Sequence, residues 1–368
     1  MRVLLAMMVL AGSAVAEPQA KADAKSDAKA DAKSDAKADA KSAAKADKAD
    51  AKPDKADAKP PKPDKADAKP PKPDKADPKS NAADEPKDGL LALTDDPVFG
   101  KADKIDGNEV KGMVTFTFDD GPNPETTPAV IDALEKYDVP GTFFVVTQRL
   151  LGKHGEKPRE ILKRLVEGGF AIGSHSVTHP NLRLASKDKL AKEIDGSIRT
   201  LSPAANQPIG LFRFPFGASN KLARARLAKL GLTEAFWSID TLDWQAKSPD
   251  KLRKKVFQMI VKQEGGVVLM HDVKPITAKV IADVLDDLEI ENCQRLANKQ
   301  EPILPVSIHY YLKDGKTPRA VPDAVKTRTE TYRASLPKRC AKRPSPPAAA
   351  PPTTPIQTPA KPAIPAKP

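Results

Sequence analysis

Val114-Thr115-Phe116-Thr117-Phe118-Asp119-Asp120-Gly121-Pro122 alternates apolar residues with threonine and then breaks abruptly. A period of two predicts a β-strand over 114–118, and two carboxylates followed by Gly-Pro predict a turn where it ends. Outward from this stretch, helical spacing over 128–137 sets Val130, Ile131 and Leu134 on one face. Strand-like segments follow at 142–146, 170–173, 211–214, 235–239, 266–270 and 303–308. Helical segments lie between them at 160–167, 187–201, 221–230, 249–261 and 276–290, with Gly168-Gly169 as one stop signal. Strands alternating with helices imply a parallel sheet, and about seven such units imply an α/β fold, a distorted (β/α) barrel with about seven parallel strands.

The residues with chemistry to offer follow these strands. Asp119 and Asp120 come after the first, His175 and His179 after the third, and Arg213 to Gly217 close the fourth. Asp240 to Trp244 follow the fifth, and His271 the sixth. The C-terminal strand ends of such a barrel build its active site, so positions spread over more than 150 residues should converge. A carboxylate pair with two histidines four apart suits a divalent metal, and His271 is left for acid–base work. Taken singly, Asp-Asp-Gly-Pro is a turn, the two histidines a packed pair, and Asp-Thr-Leu-Asp-Trp a helix cap; none of these accounts for all the blocks. Of the five histidines, His154 and His309 fall outside them. Trp237 reads as core and Asp240 as structural.

Composition sets the boundaries. Residues 20 to about 80 are almost wholly Lys, Ala, Asp, Ser and Pro, and those beyond about 341 mostly Pro, Ala, Thr and Lys. Neither stretch has apolar groups to offset the entropy of ordering. The expected division is a signal peptide at 1–16, a disordered spacer at 17–88, a catalytic domain at 89–315, and a basic, then Pro/Ala-rich disordered tail at 316–368. Arg2, a short apolar run and Ala14-Val15-Ala16 carry the signal-peptide reading. That run is too short to span a bilayer, so no transmembrane segment is expected, and the protein should be secreted, periplasmic or envelope-associated. Cys293 and Cys340 are compatible with one disulfide in an oxidising compartment or with two thiols. The net charge is +12, and between Lys313 and Arg343 ten Lys/Arg stand against three Asp/Glu. Such charge suits association with anionic envelope polymers; no aromatic-interleaved basic motif points to nucleic acid. A monomer is expected.

Five blocks, in order, resemble the polysaccharide deacetylase family (carbohydrate esterase family four, the NodB-homology domain) over roughly residues 110–310. They are Thr117-Phe118-Asp119-Asp120-Gly121, His175-Ser176-Val177-Thr178-His179-Pro180, Arg213-Phe214-Pro215-Phe216-Gly217, Asp240-Thr241-Leu242-Asp243-Trp244 and Leu269-Met270-His271-Asp272. The resemblance implies that Asp120, His175 and His179 hold a divalent ion, Zn2+ first and Co2+ second. It implies Asp119 as general base, oriented by Arg213, and His271 as general acid, tuned by Asp243. It places an oxyanion-binding backbone N–H at Phe216, where tyrosine is common, and apolar walls at Trp244 and Leu269. Asp272 is read as a partner of these groups or a loop cap. The expected activity is removal of N-acetyl groups from amino-sugar polymers, peptidoglycan or chitin-like. An O-acetyl xylan esterase and a catalytically idle glycan-binding envelope protein are the alternatives.

Overall fold

The computed structural model describes residues 88–343. The expected signal peptide, all but the last residue of the spacer, and the tail beyond 343 lie outside the described residues. A short helix, α1 (Asp88–Thr94), leads into the central strand β1 (Met113–Asp119). Then come α2 (Thr127–Lys136), β2 (Gly141–Val145), α3 (Glu156–Glu167) and β3 (Ala171–Ser174). The next helix begins as α4 (Lys187–Leu190), widens into a π-turn at Ala191–Asp195 and continues as α5 (Gly196–Ala205). Short strands β4 (Leu211–Phe212), β5 (Thr233–Glu234) and β6 (Ile239–Asp240) follow, with α6 (Lys221–Lys229) after β4. The series closes with α7 (Pro249–Gln263), β7 (Gly265–His271), α8 (Pro275–Ala297) and β8 (Leu304–Pro305).

All these strands pair in parallel, in the order β5-β4-β3-β2-β1-β7-β6, with β8 beside the start of β1. The two edge strands, β5 and β6, are separated in the chain only by residues 235–238. So short a link reaches about 17 Å at full extension, so the sheet must curl until its edges approach. The result is the expected distorted barrel. The segment 235–239, expected as one strand, is instead the link between those edges: Ala235 makes an isolated bridge to Ile105 and only Ile239 belongs to β6. Its apolar run could not reveal the break, because the residues at its two ends, Ala235 and Ile239, are both buried. Similarly, only Leu304 and Pro305 of the expected strand 303–308 pair, and Ile308–Tyr311 turns into a 3-10 helix.

In β1 every residue from Val114 to Asp119 is buried, threonines included, because helices cover one face of the sheet and the barrel interior the other. Thr117 bonds its hydroxyl to the Val268 carbonyl at 2.7 Å. Val130, Ile131 and Leu134 bury the inner face of α2 as their spacing requires. Gly265 lets β7 start hard against β1: a Cβ there would stand 1.8 Å from the Met113 carbonyl oxygen. The resulting register sets Asp119 beside His271 on one flank and beside Phe144 on the other.

The C-terminal expectation needs correction. Residues 316–343 are not a tail: Lys313–Asp314 (β9) and Thr317–Pro318 (β10) pair antiparallel, and Asp323–Ala341 forms a helix, α9. Tyr332 and Leu336 are buried, which contributes about 1.5–3 kcal/mol each. Cys293 and Cys340 form a disulfide that ties α9 to α8. The basic residues that read as a solvated run find acidic partners: Arg339 and Arg343 on Glu289, Arg343 on Asp286, Arg328 on Asp138 and Arg333 on Glu301. Those carboxylates lie 32 to 190 positions away, so a local charge count could not show them.

Candidate active site

Asp119, the last residue of β1, is buried with its carboxylate turned to Arg213, whose Nη1 donates to it at 2.8 Å. Arg213, just beyond β4, is wholly buried. It also donates to Thr117 Oγ1 at 2.7 Å and to the Ala235 and Phe236 carbonyls, and its guanidinium lies 4.1 Å from the centre of the Phe144 ring. Burial raises the pKa of Asp119, with the charges of Arg213 and His271 opposing. The carboxylate is therefore held in place and remains basic enough to accept a proton.

Asp120 takes a positive φ of 79°, so its side chain leaves that of its neighbour and faces the loop after β3. Ser176, His179, Phe216 and Leu242, all in the strand-end loops, share that left-handed backbone. For residues with a Cβ this costs on the order of 1–2 kcal/mol each. Such strain accumulates where side chains must be aimed against local preference.

His175 is buried, and its Nδ1 lies 2.8 Å from the Arg213 carbonyl oxygen, which fixes the proton on Nδ1. Nε2 then presents a lone pair to Asp120 Oδ1 at 3.7 Å and Asp119 Oδ2 at 3.5 Å. Burial lowers the pKa of His175 to about 3, so the ring stays neutral, as a ligand requires. His179 Nε2 lies 3.2 Å from the same Asp120 oxygen. That oxygen is buried and has no hydrogen-bond partner. The donor atoms of Asp120, His175 and His179 all lie within 4.8 Å of one another. Converging lone pairs around an unsatisfied carboxylate oxygen are an unfavourable arrangement until a cation sits among them. The three residues fit a divalent metal.

His271, at the end of β7, is held from the far side. Its Nδ1 and Asp243 Oδ1 are 2.7 Å apart, and its backbone N–H donates to Asp243 Oδ2 at 2.7 Å. Thr277 also donates to Asp243 Oδ2, at 2.5 Å. Burial alone would lower the pKa of His271, but the hydrogen bond and charge of Asp243, with Asp119 and Asp120 behind, raise it to about 9. Burial would raise that of Asp243, yet the same contacts hold it below the usual carboxylate range.

These groups share one cleft of about 330 Å³, also lined by Phe216, Trp237, Trp244 and Leu269. Phe216 and Trp244 are exposed at its rim, whereas Leu269 is buried below it. The Phe216 ring meets His179 edge-on at 4.6 Å. Trp237, expected in the core, is only partly buried; it stacks on Phe236 and forms cleft wall. Asp240, read as structural, accepts the Leu242 N–H and also reaches the cleft. Asp272 accepts from Thr127 at the start of α2, and burial raises its pKa to about 7. Any side chain at Gly121 would collide with that carboxylate.

Sequence reasoning missed Glu193. Buried in the π-turn between α4 and α5, it accepts from Val177 N–H (3.1 Å), Thr178 N–H (2.8 Å) and Thr178 Oγ1 (2.6 Å), pinning the loop that carries both histidines. Lys189 pairs with it at 2.9 Å. In sequence this is an ordinary i,i+4 helix pair, indistinguishable from a solvated one.

Fold and site together define a (β/α) barrel with a metal-binding donor set and a tethered carboxylate and imidazole facing it. A family model described as polysaccharide deacetylase matches residues 106–235. A chitooligosaccharide deacetylase of Bradyrhizobium sp. (strain ANU 289) is 34% identical over 163 residues, 44% of this chain and 71% of that protein. A peptidoglycan-N-acetylglucosamine deacetylase of Listeria monocytogenes is 32% identical over 193 residues, 51% of this chain but 38% of that protein. Among solved structures, a family 4 carbohydrate esterase from Streptomyces lividans in complex with acetate aligns with TM-score 0.44 and 29% identity, covering 49% of this chain and 89% of that one. The chain belongs to the polysaccharide deacetylase family.

Proposed function

We infer that this protein is an exported, metal-dependent N-deacetylase of amino-sugar polymers. The observation that carries the reading is that the Asp120–His175–His179 donor set, the Arg213-held Asp119 and the Asp243-held His271 share one cleft. A divalent ion held by the first three, Zn2+ by its preference for nitrogen and oxygen ligands in a small set, supplies Lewis acidity that polarises an amide carbonyl and acidifies water. Asp119 takes the proton of the attacking water as its oxygen bonds to the carbonyl carbon. The backbone N–H of Phe216 meets the negative charge that develops on the carbonyl oxygen. His271 delivers its proton to the amide nitrogen as the C–N bond breaks, releasing acetate and a free amine. Trp244 and Leu269 give the acetyl group and sugar ring apolar walls.

The protonated state of His271 favours amide over ester substrates. An amine leaves poorly without a proton, and Asp243 keeps one available up to about pH 9. The Cys293–Cys340 disulfide accords with an oxidising compartment, and thus with export. The test is acetate release from an N-acetylated glucosamine oligomer, with and without chelator, by wild type and His179→Ala. The expected result is release abolished by either change and restored to wild type by added metal. Full release by metal-stripped protein or by His179→Ala would overturn the reading.

A further inference from the structure

The cleft does not end at the donor set. Asp120 and His179 also line a second cavity of about 380 Å³, which shares Gln148 and Arg149 with a third of about 700 Å³. Three hollows that share walls in series make a groove leading away from the candidate catalytic groups. Pro122, Pro124 and Leu151 give its far arm apolar surface of the kind a sugar face covers. Arg149, Lys153 and Lys157 give it positive charge.

These cations have no carboxylate within 4.0 Å among the described residues, although Glu125 and Glu156 line the same arm. Arg149 is anchored through Nε to the Asp120 carbonyl at 2.5 Å, which leaves its two terminal nitrogens directed elsewhere. A guanidinium fixed at one edge with its fork open matches a carboxylate. The other end of the cleft, past Trp237, behaves differently. The cavity there also has two lysines, but Lys104 is paired with Asp106 at 2.7 Å and Lys313 with Glu109 at 3.7 Å. In one arm both lysines are paired with carboxylates; in the other, among the described residues, no carboxylate reaches ion-pair distance of the cations.

We propose that the Arg149–Lys153–Lys157 arm is a subsite for a carboxylate on the glycan, borne by a sugar adjoining the one that loses its acetyl group. The inference rests on the deacetylase reading and sharpens it: the groove selects acidic amino-sugar polymers over neutral ones. Selection is by charge at a distance from the reacting bond, so it acts on substrate capture and leaves the chemical step alone.

The test compares three glycans of equal length with the full chain: a neutral N-acetylglucosamine oligomer, an oligomer in which alternate sugars carry a carboxylate, and the latter with its carboxylates methyl-esterified. Acetate release and binding by calorimetry are both read. Wild type should favour the acidic glycan by about tenfold or more in kcat/KM, and esterification or high salt should erase the preference. Lys153→Glu/Lys157→Glu should lose the preference in binding and turnover while keeping wild-type rates on the neutral oligomer. Equal binding of acidic and esterified glycans by wild type would overturn the subsite, as would equal losses by the variant on all three. Charge-selective binding without acetate release from any glycan would uphold the subsite and overturn the deacetylase reading instead.

Discussion

His271 and Asp119 are register partners of β1 and β7, and under the proposed mechanism they have opposite duties, so their protonation would set the pH range of activity. The acid works when protonated, and activity should fall as pH rises through the His271 pKa near 9. Asp243→Asn removes the negative charge that holds the proton, so the alkaline limb of kcat/KM should shift to lower pH by about a unit or more, which a pH–rate profile measures. An unshifted limb would mean another group governs it. Asp119→Asn keeps the shape but cannot accept a proton, and His271→Ala removes the donor; each should lower the rate roughly 10²–10⁴-fold on an N-acetyl glycan while metal binding persists. An activated aryl acetate has a leaving group that needs little protonation, so it should partly rescue His271→Ala and not Asp119→Asn. The Asp119, Asp120, His175, His179, Arg213, Asp243 and His271 set was legible in the chain as candidates because each lies at a strand end or in the loop just beyond it, within a compact block. Trp237 was read as core and does pack against it, but it is only partly buried and its other face lines the cleft, which an apolar run in sequence does not show.

The helix from α4 to α5 does more than cover the sheet. Its π-turn swings Glu193 inward to accept three bonds from the loop bearing His175 and His179. Ala in place of Glu193 removes the acceptor of two part-buried amide donors, which water can partly answer, at a cost of about 0.5–1.5 kcal/mol each. Since the loop sets the histidine positions, Glu193→Ala should weaken metal affinity roughly 10–100-fold, the range for partners that orient ligands. Metal titration of the folded variant checks this, with the thermal midpoint measured alongside. An intact affinity would show that the loop holds its shape without Glu193. The helical period predicted this element but not the π-turn, because one inserted residue changes which face looks inward without changing the composition.

For the molecule as a whole, the largest departure from expectation is at the C-terminus, where α9 belongs to the folded body. The disulfide spans 47 positions, and closing a loop of that length in the unfolded chain stabilises by about 4 kcal/mol in the chain-entropy account. Cys293→Ser should therefore lower the urea midpoint clearly, as should reductant, while turnover of a small aryl acetate by the folded variant stays near wild type. A matching loss of turnover under folding conditions would tie α9 to the cleft after all. The alternation of strand and helix, the barrel it implies, and the residue types at the strand ends were all readable along the chain, because periodicity and turn chemistry are local. The curling that brings the edges β5 and β6 toward each other, the carboxylates that receive the basic residues of α9, the pairing of Cys293 with Cys340 and the anchoring by Glu193 were not. Each depends on groups far apart in sequence, or on which way a short segment turns, and packing alone brings those together.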